Sequence, residues 1–124
     1  MTTVTGNYSF NSLVPGEYSI SFSKTGDYRG VNSTDALMAV RRFVLGTDLN
    51  DMQLLAADVN NDNNINSTDA LLILKRFTGT VASFVKPDWI ITPAGMNITI
   101  ANGNVVKNSS CIAAGDIDRS WTPQ

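Results

Sequence analysis

The sequence contains no histidine and a single cysteine, Cys111. Without histidine, the chain lacks the most common general base and the most common ligand for transition metals. A lone cysteine has no partner for a disulfide within the chain, so we expect Cys111 to be a small buried apolar residue. These absences argue against an enzyme and against a zinc site.

Long apolar runs and an excess of basic residues are also lacking. No stretch approaches the roughly 20 apolar residues that a membrane-spanning helix needs, and residues 1–5 do not begin a signal-peptide pattern. The formal net charge of −2 provides no basic stripe for a nucleic acid or an acidic membrane surface. We therefore expect neither nucleic-acid binding nor membrane insertion from this chain, whose 124 residues suffice for one modest core.

Segments of alternating polar and apolar residues stand at both ends of the chain, in residues 1–25 and 87–124. This alternation is typical of half-buried strands, and turn-forming residues separate the runs. The predicted strands are residues 8–10, 18–22, 89–91, 97–100 and 104–106. Because two strands alone are marginally stable in water, we expect the N-terminal hairpin and the C-terminal strands to form one small β unit.

The middle segment, residues 26–86, contains an internal repeat with a period of 34 residues. The stretch 31–43 recurs as 65–77, and each copy has a Ser-Thr-Asp opening, an apolar run, basic residues and a glycine. This order predicts a helix in each copy, and residues 50–57 between them predict a shorter linking helix. The expected fold class is therefore α+β: a pair of loop–helix repeats packed beside, or inserted in, a small antiparallel β unit.

Residues 58–69, directly before the second predicted helix, have the spacing of a twelve-residue calcium loop. Such a loop supplies oxygen ligands from positions 1, 3, 5, 7, 9 and 12. These positions are held by Asp58, Asn60, Asp62, Asn64, Asn66 and Asp69. Position 6 is usually glycine because its φ is positive, and here it is Asn63, the next most tolerant residue. The spacing predicts a calcium site, which magnesium and zinc suit less well; the alternative is a surface loop of Asx-turns.

The first copy of the repeat lacks the upstream half of such a loop. Its positions 1, 3 and 5 fall on Lys24, Gly26 and Tyr28, none of which is a carboxylate. One hypothesis is a second, split calcium site, in which the C-terminal run 116–120 supplies the missing half. Its ligands would be the Gly30 carbonyl, Asn32, Asp35, Asp116, Asp118 and Ser120. The alternative is that residues 116–120 are a solvated tail and that Asp35 only caps its helix.

The pattern Asp-x-Asn-x-Asp-x-x-x-Asn-Ser-Thr-Asp, followed by Leu-Leu-x-Leu-Lys-Arg, resembles that of the dockerins over residues 26–80. The resemblance implies a duplicated calcium-loop–helix module that docks onto a cohesin domain in an extracellular bacterial, often polysaccharide-degrading, assembly. The recognition residues that it implies are Ser33, Thr34, Arg41, Arg42, Ser67, Thr68, Lys75 and Arg76. The same side chains are also explained as helix caps and as cations at helix C-termini.

Residues 6–18 resemble the closing strands of carboxypeptidase-regulatory-like or Cna-B-type β-sandwiches. That resemblance implies an extracellular or cell-surface location, and the chain would then be a fragment that lacks its signal peptide. The alternative to a docking module is a calcium-stapled structural segment of a larger bacterial surface protein or adhesin, in contact with neighbouring domains of the same chain. An enzyme is the poorest interpretation, because no Ser or Cys nucleophile has a plausible base.

Overall fold

The structure is a computed structural model that describes residues 6–26 and 28–122. Residues 1–5, which show no signal-peptide pattern, lie outside this range. In the described part the helices are α1 (Ser33–Leu45), α2 (Asp51–Ala57) and α3 (Ser67–Phe77), and the strands are β1 (Gly16–Ser21), β2 (Trp89–Thr92), β3 (Gly95–Ile100) and β4 (Ser110–Ala113). This architecture confirms the predicted α+β class. None of the described helices is long and apolar enough to span a membrane.

Both repeat helices begin with the same cap. The side chain of Asn32 accepts a hydrogen bond from the backbone N–H of Thr34 at 2.7 Å, and Asn66 does the same for Thr68 at 2.7 Å. In each helix the aspartate three residues after the cap accepts a hydrogen bond from the backbone N–H of the cap, which completes a capping box. The two predicted helices are therefore confirmed, with asparagine, one residue before the Ser-Thr-Asp opening, as the cap.

The two repeat helices pack on each other through alanines and Ile73. Ala39 is fully buried on α1 and Ile73 on α3, and short side chains at a helix contact allow the two axes to approach closely. The buried core comprises Ala36, Ala39, Ala57, Val59, Ala70, Ile73 and Ile117. The core is thus shared by both repeats, the linking helix α2 and the C-terminal segment.

The strands form two separate antiparallel pairs instead of the single β unit that the sequence predicted. β1 pairs with β3, with Gly16 opposite Ile100, and β2 pairs with β4, with Trp89 opposite Ala113. The N-terminal segment therefore finds its strand partner in the C-terminal segment, as expected. No strand of the first pair is hydrogen-bonded to a strand of the second.

Two of the predicted strands are wrong. Residues 8–10 form no strand, so the N-terminal hairpin is absent; the Tyr8 ring instead packs edge-on against Phe22, with centroids 5.2 Å apart. Residues 104–106 also form no strand, and the last strand, β4, begins at Ser110. Val106 is 80% exposed. The local pattern fails there because, in the part of the chain that the structure describes, no strand pairs with residues 104–106 and Val105 and Val106 stay exposed.

After β4 the chain turns into the helical core. The backbone N–H of Gly115 donates to the carbonyl of Ala56 in α2 at 2.8 Å, and the Ile117 side chain is fully buried. Gly115 has φ +83°, and a Cβ atom there would lie 2.9 Å from the ring of Phe84, so the turn requires glycine. The run 116–120 is therefore not a solvated tail. The division of the chain into segments at residues 25 and 86 stays a prediction.

The prediction for Cys111 is wrong, because its side chain is exposed. Cys111 lies in β4, opposite Ile91 of β2, and the next residue, Ile112, is buried. Successive side chains of a strand point to opposite faces. Ile112 takes the inward position, and Cys111 is consequently turned outward.

The burial of Ile117 predicts that the C-terminal segment contributes to global stability. We expect Ile117→Ala to lower the free energy of unfolding by about 2–4 kcal/mol, because it removes buried apolar contacts and leaves a cavity. Val106→Ala, at an exposed position, is the matched control and should change it by less than about 0.5 kcal/mol. Urea unfolding followed by circular dichroism measures both. Equal effects of the two substitutions would contradict the placement of Ile117 in the core.

Candidate metal centre and docking surface

The first acidic cluster lies in the loop between α2 and α3, residues 58–69, here called the continuous loop. Carboxylate oxygens of Asp58, Asp62 and Asp69 lie within 4.8 Å of one another. Asp69 is fully buried and Asp58 is 7% exposed, whereas Asp62 is exposed. Three like charges at this distance repel one another, and burial increases the cost. Such a cluster is a suitable place for a cation.

Backbone N–H groups of the continuous loop hold these carboxylates in place. Asp58 accepts hydrogen bonds from the N–H of Asp62 and of Asn63, each at 3.1 Å. Asp69 accepts from the N–H of Val59 at 3.0 Å and of Asn66 at 3.0 Å. Each carboxylate oxygen has two lone pairs, so these bonds orient the groups and leave acceptor capacity for a metal ion.

The asparagines of the continuous loop set its backbone path. Asn63 has φ +66°, so the residue at the sixth position adopts the left-handed conformation that glycine usually provides there. Asn61 also has positive φ, at +61°. The amide group of Asn60 donates to Asp62 at 2.9 Å, and that of Asn64 donates to the Asp62 carbonyl at 3.2 Å. Both asparagines thus lie beside the cluster.

The second acidic cluster joins two distant parts of the chain. Carboxylate oxygens of Asp35, Asp116 and Asp118 lie within 4.8 Å of one another, and Asp35 and Asp116 are 0% and 2% exposed. The backbone N–H of Asp118 donates to Asp35 at 2.9 Å across 83 residues of sequence. We call residues 30–35 together with 116–121 the split loop. The structure therefore brings together the residues of the hypothetical split site.

The split loop reproduces the backbone hydrogen bonds of the continuous loop. Asp116 corresponds to Asp58: it accepts from the N–H of Ser120 at 2.9 Å and of Trp121 at 3.1 Å. Asp35 corresponds to Asp69 and accepts from the N–H of Asn32 at 2.8 Å. Two chain segments, one from each side of the repeat, thus form the same arrangement that one segment forms in the continuous loop.

Backbone conformation follows the same correspondence. Arg119 has φ +60°, which matches the φ of +61° at Asn61, although arginine seldom adopts this conformation. Ile117 and Val59, at equivalent positions, are both fully buried. Gly30 has φ +102°, and a Cβ atom there would lie 2.7 Å from the Asp116 carboxylate. Glycine at position 30 is therefore required for the approach of the C-terminal half.

The remaining predicted split-site residues lie at the same centre. The Ser120 hydroxyl donates to the Gly30 carbonyl at 2.8 Å, and the Asn32 amide donates to the same carbonyl at 3.0 Å. Trp121, the last residue of the split loop, packs edge-on against Trp89, with ring centroids 5.0 Å apart. The Lys24 ammonium lies 4.5 Å from the centroid of each ring. This aromatic contact fixes the C-terminal half of the split loop beside β2.

Burial changes the acidity of the carboxylates at both clusters. It raises the pKa of Asp35 from 3.8 to about 7, and the negative charges of Asp118 and Asp116 add to the increase. Burial also raises the pKa values of Asp69 and Asp116. At Asp118 burial acts in the same direction, but hydrogen bonds, that of Ser120 foremost, lower its pKa overall. The clusters thus hold charge that costs free energy when no cation is present.

Both clusters have the chemistry that calcium requires. Their donors are carboxylate, amide, hydroxyl and backbone carbonyl oxygens, and hard divalent cations prefer oxygen ligands. Neither cluster contains a histidine or cysteine, which excludes the usual donor sets of zinc. The residues present therefore fit a calcium ion in each loop.

The predicted recognition residues differ in their exposure. Ser33, Thr34, Ser67, Thr68 and Arg41 are exposed. Arg42 and Lys75 are half-buried, and the Arg42 guanidinium donates to the carbonyl of Thr47 at 3.3 Å, just beyond the end of α1.

Arg76, the last of the predicted recognition residues, is largely buried. Its guanidinium forms an ion pair with Asp88 at 3.3 Å and stacks over the ring of Tyr28 at 4.1 Å, with Phe84 at 5.2 Å. The side chain is 12% exposed. The repeat equates Arg76 with Arg42, but Tyr28 and Phe84 lie beside Arg76, whereas Arg42 bonds to the carbonyl of Thr47.

Large apolar side chains are exposed on each repeat helix, which was not predicted. Leu37 and Leu71, at equivalent positions, are 46% and 50% exposed, and Phe43 and Phe77 are 54% and 51% exposed. The full set is Leu37, Val40, Phe43, Val44 and Leu45 on α1, and Leu71, Leu74 and Phe77 on α3. The sequence contains the signal: each helix is apolar on more of its circumference than one helix–helix contact can bury. Exposed apolar patches of this kind mark interaction sites.

These features define a class of protein with two acidic, oxygen-rich loops, each of which contains the start of a capped helix, within an internal repeat. The family model of the dockerin type I domain matches residues 27–78. The dockerin resemblance is therefore confirmed for this stretch, 52 of the 124 residues, whereas the β-sandwich resemblance of the N-terminal segment is not. No curated protein and no solved structure matches the chain.

The raised pKa of Asp35 predicts a pH dependence of the metal-free protein. In the folded state its pKa is about 7, against an ordinary value of 3.8 for an aspartate, so this residue contributes most to stability below pH 4. That contribution is lost as the pH rises towards about 7, because ionisation costs more in the folded state. We expect the melting temperature of the wild type, relative to Asp35→Asn, to fall between pH 4 and 7 in chelator. A difference that is constant over this range would contradict the buried ionisation.

Proposed function

We propose that this chain is a calcium-dependent docking module that binds a cohesin-type domain. The observation that carries the proposal is a repeated pattern of exposure: α1 and α3 each expose Ser-Thr followed by large apolar side chains, while their alanines and Ile73 are buried in the shared core. A dockerin is a docking domain, and residues 27–78 match that family. No catalytic role is proposed for the chain.

Calcium is proposed to bind at both loops. In the continuous loop the ligands are Asp58, Asn60, Asp62, Asn64, Asn66 and Asp69; in the split loop they are Gly30, Asn32, Asp35, Asp116, Asp118 and Ser120. Each ion would offset the repulsion within three clustered carboxylates. Because Asp35 and Asp69 also complete the capping boxes of α1 and α3, metal binding would fix the start of both helices and the exposed residues next to them.

The number of calcium ions is tested by isothermal titration calorimetry of the chelator-stripped protein. We expect two ions for the wild type and one for Asp62→Ala or Asp118→Ala, which each remove one carboxylate from one loop. Both residues are only partly buried or exposed, so the variants should fold, and circular dichroism checks this. A single ion in the wild type, unaffected by Asp118→Ala, would limit the site to the continuous loop. No calcium binding at all would refute the proposal.

The proposed partner surface has an apolar centre with exposed hydroxyls at one end and Arg41 and Lys75 at the other. A suitable partner therefore presents an apolar patch bordered by acceptors or carboxylates. Because the same face occurs twice, the partner can dock in two orientations related by the pseudo-symmetry of the repeat. Arg76 is not included, since Asp88 and Tyr28 already engage it.

Paired substitutions test this surface. Leu37→Lys and Leu71→Lys each remove one copy of the apolar anchor, and Val106→Lys is the control at an exposed position outside the helices. Against a panel of cohesin domains, we expect each single variant to weaken binding about twofold, because one of two orientations remains. The double variant should weaken it about a hundredfold or more, as for the loss of central anchors. Complete loss with one single variant would indicate a single orientation.

A calcium-stapled structural segment is the second candidate function. It is favoured by the split loop, in which Asp35 and Asp118 join parts of the chain 83 residues apart. If no cohesin domain binds but calcium raises the melting temperature, this role is supported instead. For either function we propose an extracellular or cell-surface setting on a bacterium, in the docking case within a polysaccharide-degrading assembly.

A further inference from the structure

A lysine from outside the repeat reaches the continuous loop. Lys86 is 7% exposed, and its ammonium donates to the carbonyl of Leu55 at 2.6 Å. The same ammonium lies 3.7 Å from a carboxylate oxygen of Asp58, the first residue of the loop. The backbone N–H of Lys86 also donates to the carbonyl of Val59 at 3.2 Å. This segment is thus bonded to the loop through both its side chain and its backbone.

In the metal-free protein the ammonium of Lys86 compensates the negative charge of Asp58. A buried ammonium or carboxylate is costly unless an opposite charge compensates it. Asp58 lies beside Asp62 and Asp69, which repel it, and Lys86 is the cation that the structure places against it. With calcium in the loop, the ion itself supplies this compensation, and the neighbouring ammonium then repels the ion.

We propose that Lys86 is a positioning residue that holds Asp58 in place before the metal arrives. Through the repulsion between its ammonium and the bound ion, it also lowers the calcium affinity of the continuous loop. The inference rests on the proposed calcium site in that loop. Lys86 lies beyond residues 27–78, the stretch that matches the dockerin domain. The segment after α3 therefore adjusts the metal affinity of the module to which it is attached.

Replacement of Lys86 by glutamine separates its charge from its hydrogen bond. Lys86→Gln retains an N–H donor for the Leu55 carbonyl and removes the positive charge. Lys107→Gln is the control, because Lys107 is exposed and its carbonyl accepts a hydrogen bond from Tyr8, away from the loop. Lys86→Arg keeps the charge and should behave nearly as the wild type.

Calcium affinity is measured site by site from backbone amide signals in two-dimensional NMR spectra of the full chain. The N–H of Asn63, which donates to Asp58, reports on the continuous loop, and that of Trp121, which donates to Asp116, reports on the split loop. In Lys86→Gln we expect the Asn63 signal to titrate at about tenfold lower calcium concentration, the order expected for removing one charge near a divalent ion. The Trp121 titration should be unchanged.

Melting temperatures with chelator and with saturating calcium provide a readout that is independent of affinity. Lys86→Gln should lower the melting temperature more in chelator than in calcium, because the ion replaces the lost charge. Equal losses in both conditions, or weaker calcium binding at Asn63, would overturn the proposal and leave Lys86 as an ordinary packing residue. If the wild type binds no calcium in this loop, the proposed site fails first, and the two failures are therefore distinguishable.

Discussion

The two acidic loops and the starts of α1 and α3 are arranged around buried carboxylates that repel one another. Asp35 and Asp69 are fully buried at the starts of α1 and α3, and each has two further aspartates within 4.8 Å. The chain tolerates these charges because backbone N–H groups surround them and because each aspartate lies at the positive end of a helix dipole. The same constraint makes both loops suitable for a divalent cation.

This constraint also explains why the C-terminus returns to the first repeat. The first copy has Lys24, Gly26 and Tyr28 where the second copy has oxygen ligands, so Asp35 alone could not form a site. Residues 116–121 complete the loop with equivalent hydrogen bonds, and Ile117 fills the core position that Val59 fills in the second copy. Loop closure over such a separation costs entropy, and the buried side chain helps to offset it.

The residues that α1 and α3 expose are determined by the residues that they bury against each other. Alanines at the contact between α1 and α3 let the helices pack closely, and this uses one face of each. The larger apolar side chains, such as Leu37 and Leu71, are consequently left outside. The symmetry of the repeat carries the exposed pattern onto both helices. The surroundings of the two helices differ, however. Contacts with Tyr28, Phe84 and Asp88 bury most of the Arg76 side chain.

The sequence by itself determined the local features. The spacing within 58–69 specifies an oxygen-rich loop, and the repeat specifies two capped helices, because caps, turns and helix periodicity depend on residues near in sequence. Tertiary structure alone decided which predicted strands formed and that the Cys111 side chain is exposed. It likewise decided that Arg76 is largely buried beside aromatic rings and that Lys86 lies against Asp58. It also decided that 116–121 joins 30–35, for which the sequence offered only matching residue types. These contacts join distant residues, and local patterns do not encode which partner covers a surface or compensates a charge.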